Sequence, residues 1–246
     1  RHRDANGWYH CVWVMDTTLG TAADRMKVYV NGTQVYNSQM SLSQNADTPI
    51  NNNSLTTIGC YPYDTDHVYR LDGYLAEVHF IDGQALDPTY FGETKGGVWI
   101  PKQYTGSYGT NGFRLQFKQT GTGTASASTI GADTSGNTNH LTSTNLVASD
   151  SNMLDSPENN FCTINSVRES TLVNGSVTLS EGNLQSVDGG TTYGRHWSGT
   201  FGMSTGKWYW EAVVTADTSA NLFAMFGITT GTGTSTTQYL GYLPHD

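Results

Sequence analysis

Apolar residues in this chain recur mainly at every second position, in short runs separated by glycine, asparagine and aspartate. That period belongs to strands. His10-Cys11-Val12-Trp13-Val14-Met15 is apolar on both faces, as in a strand covered on both sides. Met26, Val28 and Val30 alternate with Lys27 and Tyr29. Asn31-Gly32 then supplies the two positive-φ residues of a type I′ turn, and Val35 and Tyr36 return, which predicts a β-hairpin. Leu55–Cys60 and GYLAEVHFID (73–82) predict further strands, the second ended by Asp82-Gly83. In QALDPTYFGET (84–94) the alternation breaks. Asp87 before Pro88 fits a helix N-cap with proline at the first helical position, so one short helical turn is expected. GVWIP (97–101) and GFRLQF (112–117) predict two more short strands.

From Lys118 to Pro157 the chain turns polar, too polar to form a core alone. SGNTNHLTSTNLV is expected to lend one or two strands to a neighbour. A second β-pattern follows with SVTLS, NLQSV and GKWYWEAVVTAD (206–217), where Trp208, Trp210, Ala212 and Val214 share one face. LFAMFGITTG and QYLGYL continue it. The pattern divides the chain into a β-sandwich at 1–117, a polar connecting segment at 118–160 and a second β-sandwich at 161–246. The predicted fold class is all-β, built as antiparallel β-sandwiches. Trp8, Trp13, Trp208 and Trp210 are expected in the cores, because alternation places them on strand faces.

Composition agrees with this reading. Of 246 residues, 28 are glycine, 36% are hydrophobic and only 13% are charged, a balance suited to strands and tight turns. The net charge of −9, with no Lys/Arg cluster, argues against DNA or RNA as a direct ligand. No apolar run approaches the ~20 residues of a membrane-spanning helix, so no membrane insertion is expected. Cys11, Cys60 and Cys162 have no metal-ligand spacing. Cys11 and Cys60 could pair if their strands are neighbours, but the favoured reading is small buried hydrophobes.

Three ordered motifs carry a resemblance. Trp8-Tyr9-His10 opens an aromatic strand, Lys27–Gly32 (KVYVNG) forms a hairpin, and LDGYLAEVHFIDGQAL (71–86) closes the pattern. Together they resemble the C-terminal half of the concanavalin A-like, laminin-G-like jelly roll, which implies further strands before Arg1. FGMSTGKWYWEAVVT and FGITTG resemble the early strands of a SPRY domain, whose later strands would follow Asp246. WIPKQYTGSYGTNGFRLQF, GADTSGNTNHLTSTNL and MLDSPENNFCTIN resemble joining segments in large virion-associated proteins of marine bacteriophages. The combination implies a virion or extracellular location.

Most catalytic readings fail on local grounds. Gly202-Met203-Ser204-Thr205-Gly206 matches G-x-S-x-G, but a nucleophile elbow needs a helix next, and KWYWEAVV follows. Ser204 is therefore expected in a turn, and nothing links His196 or His245 to it. A retaining glycosidase needs two carboxyl groups ~5–5.5 Å apart. On one strand that means i, i+2 or i+4; Glu77 has His79 and Ile81 there, and Glu211 has Val213 and Thr215. No catalytic residue is assigned, and both glutamates are expected to bond neighbouring backbone or hydroxyl groups. The resemblance implies calcium, for which Asp64, Asp66 and Asp72 are the candidate ligands. Asp133-x-Ser135-Gly136-Asn137-x-Asn139 is a second oxygen-rich loop, and its residues are read first as Asx-turn formers. Tyr61, Tyr63, Asp64, Asp66 and Tyr69 combine aromatic faces with planar polar groups in one loop, which suits a sugar; packing against the sandwich rim or another chain explains the tyrosines equally well. Three N-glycosylation sequons (Asn31, Asn52, Asn174) carry no weight without a secretory context.

The expected function is a non-enzymatic virion appendage or tail-fibre component, presenting lectin-like rims to host surface glycans or neighbouring virion proteins. Homo-oligomeric copies would turn weak single-site affinity into avidity. The rivals are a polysaccharide-degrading enzyme whose catalytic half lies upstream and a SPRY-type protein–protein interaction module.

Overall fold

A computed structural model describes residues 7–37, 42–52, 54–61, 69–166, 177–188, 198–215 and 226–228. Among them, regular structure is almost entirely β. Helix is limited to three single 3₁₀ turns, Ala22–Asp24, Pro88–Tyr90 and Ala148–Asp150. The chain divides into two compact units, one spanning Gly7–Asn160 and the other taking up the chain from Phe161.

The first unit begins with an antiparallel sheet of β1 (Cys11–Met15), β2 (Met26–Val30) and β3 (Thr33–Asn37), in that order. Its hairpin follows from local chemistry. Asn31 (φ 48°) and Gly32 (φ 77°) form the two-residue connection between the paired Val30 and Thr33. Gly32 is also required sterically, because a Cβ there would run into the Trp99 ring. The β1–β2 connection is held by Arg25, whose buried guanidinium donates to the carbonyls of Leu19 (2.7 Å), Gly20 (2.8 Å) and Leu42. β1 is not covered on both sides as expected: Trp13 is 70% exposed.

β4 (Val78–Phe80) pairs antiparallel with β7 (Phe113–Leu115), and β5 (Gly92–Lys95) with β6 (Val98–Pro101). Before β5, Asp87 caps the 3₁₀ turn by accepting from the Thr89 backbone N–H at 2.8 Å, with Pro88 inside the turn. Leu115 on β7 is 1% exposed and sits at the centre of the core with Tyr104, Tyr108, Ile130 and Ala132. Phe80 stacks on Phe113 across the ladder, with centroids 5.5 Å apart. Trp99 of β6 stacks on His10 at 5.9 Å and donates its indole N–H to Nδ1 at 3.0 Å. Burial and the neighbouring His79 lower the His10 pKa, consistent with a neutral ring that accepts.

Residues 118–160 lie in this first unit. Their organiser is Asp133, 6% exposed, whose carboxylate accepts from the backbone N–H groups of Arg114, Ser135 and Asn139 and from the Ser135 hydroxyl, all at 2.8–2.9 Å. Asn137 and Asn139 reach back to the carbonyls of Gly109, Thr110 and Gly112. The loop is thus an Asx-turn hub that fastens 109–114 to 133–140. The stretch SGNTNHLTSTNLV adds no strand; it contributes ladder-like bonds such as Leu141 N–H to the Gly131 carbonyl.

In the second unit β8 (Val177–Ser180) and β9 (Gln185–Asp188) form a hairpin, and Ile164 bridges Gly199. Two expected strands do not form here or earlier. Among the described residues, Leu55–Cys60 makes only an isolated bridge from Cys60 to Arg70, and 207–215 runs without a ladder partner. Alternation supplies a face but not a partner strand, so Trp208 (55% exposed) and Trp210 (46%) lie on the surface instead of in a core. Ser204 lies in irregular, exposed chain just before a bend at Thr205-Gly206. His196, His245 and QYLGYL fall outside the described residues. All three cysteines are free, with Cys60 and Cys162 exposed and Cys11 half-buried.

Candidate functional site

The β4–β7 ladder ends at the Val78–Leu115 pair, because the next residues leave the extended region. Glu77 (φ 51°) and Phe117 (φ 55°) are both left-handed, an uncommon conformation for non-glycine residues that costs about 1–3 kcal/mol each. Asn152 (φ 56°) is a third, and its N–H donates to the Phe117 carbonyl at 2.8 Å. All three residues line one cleft of about 400 Å³ within the first unit, a volume in the range of small-molecule sites. Three of the ten positive-φ non-glycine residues among those described thus lie on this cavity wall, among its charged and amide groups.

Those groups form an ordered charge network. Glu77 Oε2 accepts from Arg114 Nε and Nη2, each at 2.8 Å, and Oε1 accepts from Gln116 Nε2 at 2.9 Å. His79 Nε2 lies 3.5 Å from Oε2. Lys118 Nζ sits 2.9 Å from Glu158 and 4.0 Å from Glu77. Burial alone would raise the Glu77 carboxyl. Hydrogen bonds from His79, Arg114 and Gln116 and the Arg114 charge outweigh it and hold the group at about 2. The His79 ring is fixed in turn by stacking on Tyr108 and by the 2.8 Å bond between its Nδ1 and the Tyr108 hydroxyl.

Apolar lining comes from Trp8, Ile58, Leu71, Leu75 and Phe117. The Trp8 indole is oriented by its N–H bond to Asp155 Oδ2, 2.9 Å away. At one edge the chain folds back on itself: Leu71 N–H meets the Gly59 carbonyl at 2.6 Å and Tyr61 N–H meets the Tyr69 carbonyl at 3.0 Å. Gly59 and Leu71 line the cleft, so this loop carries Tyr61 and Tyr69 within two residues of it. The two rings meet edge to face with centroids 6.1 Å apart, and both remain more than half exposed.

Of the five residues expected from sequence to suit a sugar, two are described. Tyr61 and Tyr69 come together, while Tyr63, Asp64 and Asp66 lie outside the described residues. Of the calcium candidates only Asp72 is described, and it is exposed. Among the described residues no group of three or more His, Cys, Asp or Glu could hold a metal ion. Glu77 departs from expectation: its partners are the side chains of His79, Arg114 and Gln116. The Tyr209 hydroxyl donates to Glu211. Sequence reasoning missed Arg114, Gln116, Lys118 and Glu158. Searching along one strand could not pair Glu77 with Glu158, since the cleft joins them through the fold. The local alternation of Arg114, Gln116 and Lys118 was the available signal.

Residues 2–90, about a third of the chain, match the family model described as the concanavalin A-like lectin/glucanases superfamily, of laminin-G type. That superfamily is a β-sandwich fold, in agreement with the β architecture seen here. No curated protein and no solved structure matches the chain.

Proposed function

We propose that the first unit is a carbohydrate-recognition module, and that the cleft beside the Tyr61/Tyr69 loop is its binding site. The observation that carries this reading is the cleft itself. A hydrogen-bonded indole and apolar walls share one cavity with fixed amide and charged groups, the combination that accepts both the apolar face and the hydroxyls of a pyranose. The family match over 2–90 supports it, because that superfamily contains lectins. On a larger scale we read the chain as part of a virion appendage that attaches to host surface glycans, with a SPRY-like second unit. The support is the sequence resemblance of the joining segments and of FGMSTGKWYWEAVVT.

A glycan array probed with this chain, with and without calcium, tests the reading. Binding that is lost in Trp8→Ala supports it; no binding to any sugar refutes it. A second reading rests on Glu77 and Glu158 lining the same cleft in a superfamily that also contains glucanases. A general acid needs a carboxyl that carries a proton near neutral pH, and Glu77 is held at about 2 with both oxygens engaged. Recognition without cleavage is therefore the better fit. Release of reducing ends from a bound polysaccharide would reverse that order.

A further inference from the structure

We propose that the cleft selects its sugar by charge, accepting neutral and amino-bearing glycans and rejecting carboxylated or sulfated ones. This rests on the carbohydrate reading above and specifies its ligand class. Among the described residues, the charged groups lining the cavity are four carboxylates, Glu77, Asp150, Asp155 and Glu158, and one ammonium, Lys118. The guanidinium of Arg114 stands behind Glu77 and is committed to it in a two-donor clasp at 2.8 Å. Lys118, the cation that reaches the cavity, is engaged with Glu158 at 2.9 Å. An anionic sugar entering here meets an excess of carboxylates and competes with Glu158 for Lys118. A neutral sugar meets neither effect, and an ammonium on the sugar is drawn by the same excess of negative charge.

Neither cation is presented as a receptor for an anion. A site built for uronate or sulfate would instead offer a fork of uncommitted donors, as a guanidinium does. The charged network sits at the strained end of the ladder. Glu77 and Phe117 both turn left-handed there, and Glu77, Gln116, Phe117 and Lys118 all line the cavity.

The test is an array carrying neutral, amino-bearing, carboxylated and sulfated glycans, followed by calorimetry on a neutral hit and its uronate counterpart. The expected result is binding confined to the neutral and amino-bearing classes, with the uronate at least tenfold weaker than its neutral parent. Amino-sugar binding should weaken with added salt while neutral binding holds. In Glu158→Gln, which releases Lys118, the ratio of uronate to neutral affinity should rise about tenfold. If that variant does not fold, Asp150→Asn should move the same ratio in the same direction. Uronate bound as tightly as its neutral parent overturns the charge selection alone, as does an unchanged ratio in a folded variant. A chain that binds no sugar overturns the carbohydrate reading itself, and the selection with it.

Discussion

Replacing Glu77 by glutamine removes a charge while leaving shape and backbone in place, so the left-handed strain is the same in both proteins and cancels. The amide can accept from Arg114 or from Gln116, but its NH₂ end must then face the other donor. A carboxyl drawn from 4.5 down to about 2 corresponds to roughly 3 kcal/mol of folding stability at ~1.4 kcal/mol per pH unit. Because the side chain keeps some solvent access, 16% by area, about 2 kcal/mol is the better expectation. For a domain of this size that is a fall in Tm of about 4–8 °C at neutral pH. The sign is fixed by the direction of the shift. A depressed carboxyl contributes in full above its unfolded value near 4.5, and the contribution drains away as pH falls toward 2. Urea unfolding across that window should show wild type losing stability and Glu77→Gln changing less, so that the two converge at the acidic end. Equal stability at neutral pH refutes the reasoning, and so does a constant offset at every pH, which would mean lost packing.

Gly32→Ala places a Cβ against the Trp99 ring at a positive φ, and should cost about 2–4 kcal/mol in a denaturant titration. Asp133→Ala orphans the N–H groups of Arg114, Ser135 and Asn139, so about 3 kcal/mol of stability should be lost, and those three amides should exchange faster with deuterium than in wild type. With a thiol reagent at mildly alkaline pH, Cys60 and Cys162 should react quickly and Cys11 slowly, since burial pushes its thiol up; three equal rates would contradict the burial described.

What could be read from the chain directly was whatever neighbouring residues decide between themselves. Asn31-Gly32 chooses a turn by backbone conformation alone, and Asp87-Pro88-Thr89 chooses a capped turn by one side-chain acceptor, so both appear where their residues predict them. The 207–215 run has equally clear alternation and yet forms no ladder among the described residues, because a strand is half of a pair. Polar composition misleads around Asp133 for a related reason. There a carboxylate supplies the acceptors that a partner strand would otherwise provide, so Thr129 and Asp133 are buried beside Ile130 and Ala132. The cleft was the least legible feature. Trp8 and Asp155 meet across most of the unit, and no local pattern announces that Glu77 and Phe117 leave the extended region.

The embrace of Trp8 by Asp155 and of His10 by Trp99 bears on how the molecule should be cut for laboratory work. The family match stops at residue 90, which invites trimming there. A piece ending at that point would carry His10 without its indole, Trp8 without its carboxylate and Glu77 without Arg114. Such a piece should emerge sticky and poorly folded, whereas one extending to Asn160 keeps every one of these partners. Homology marks where ancestry can be traced; the smallest piece able to stand alone is set by where the last partner arrives.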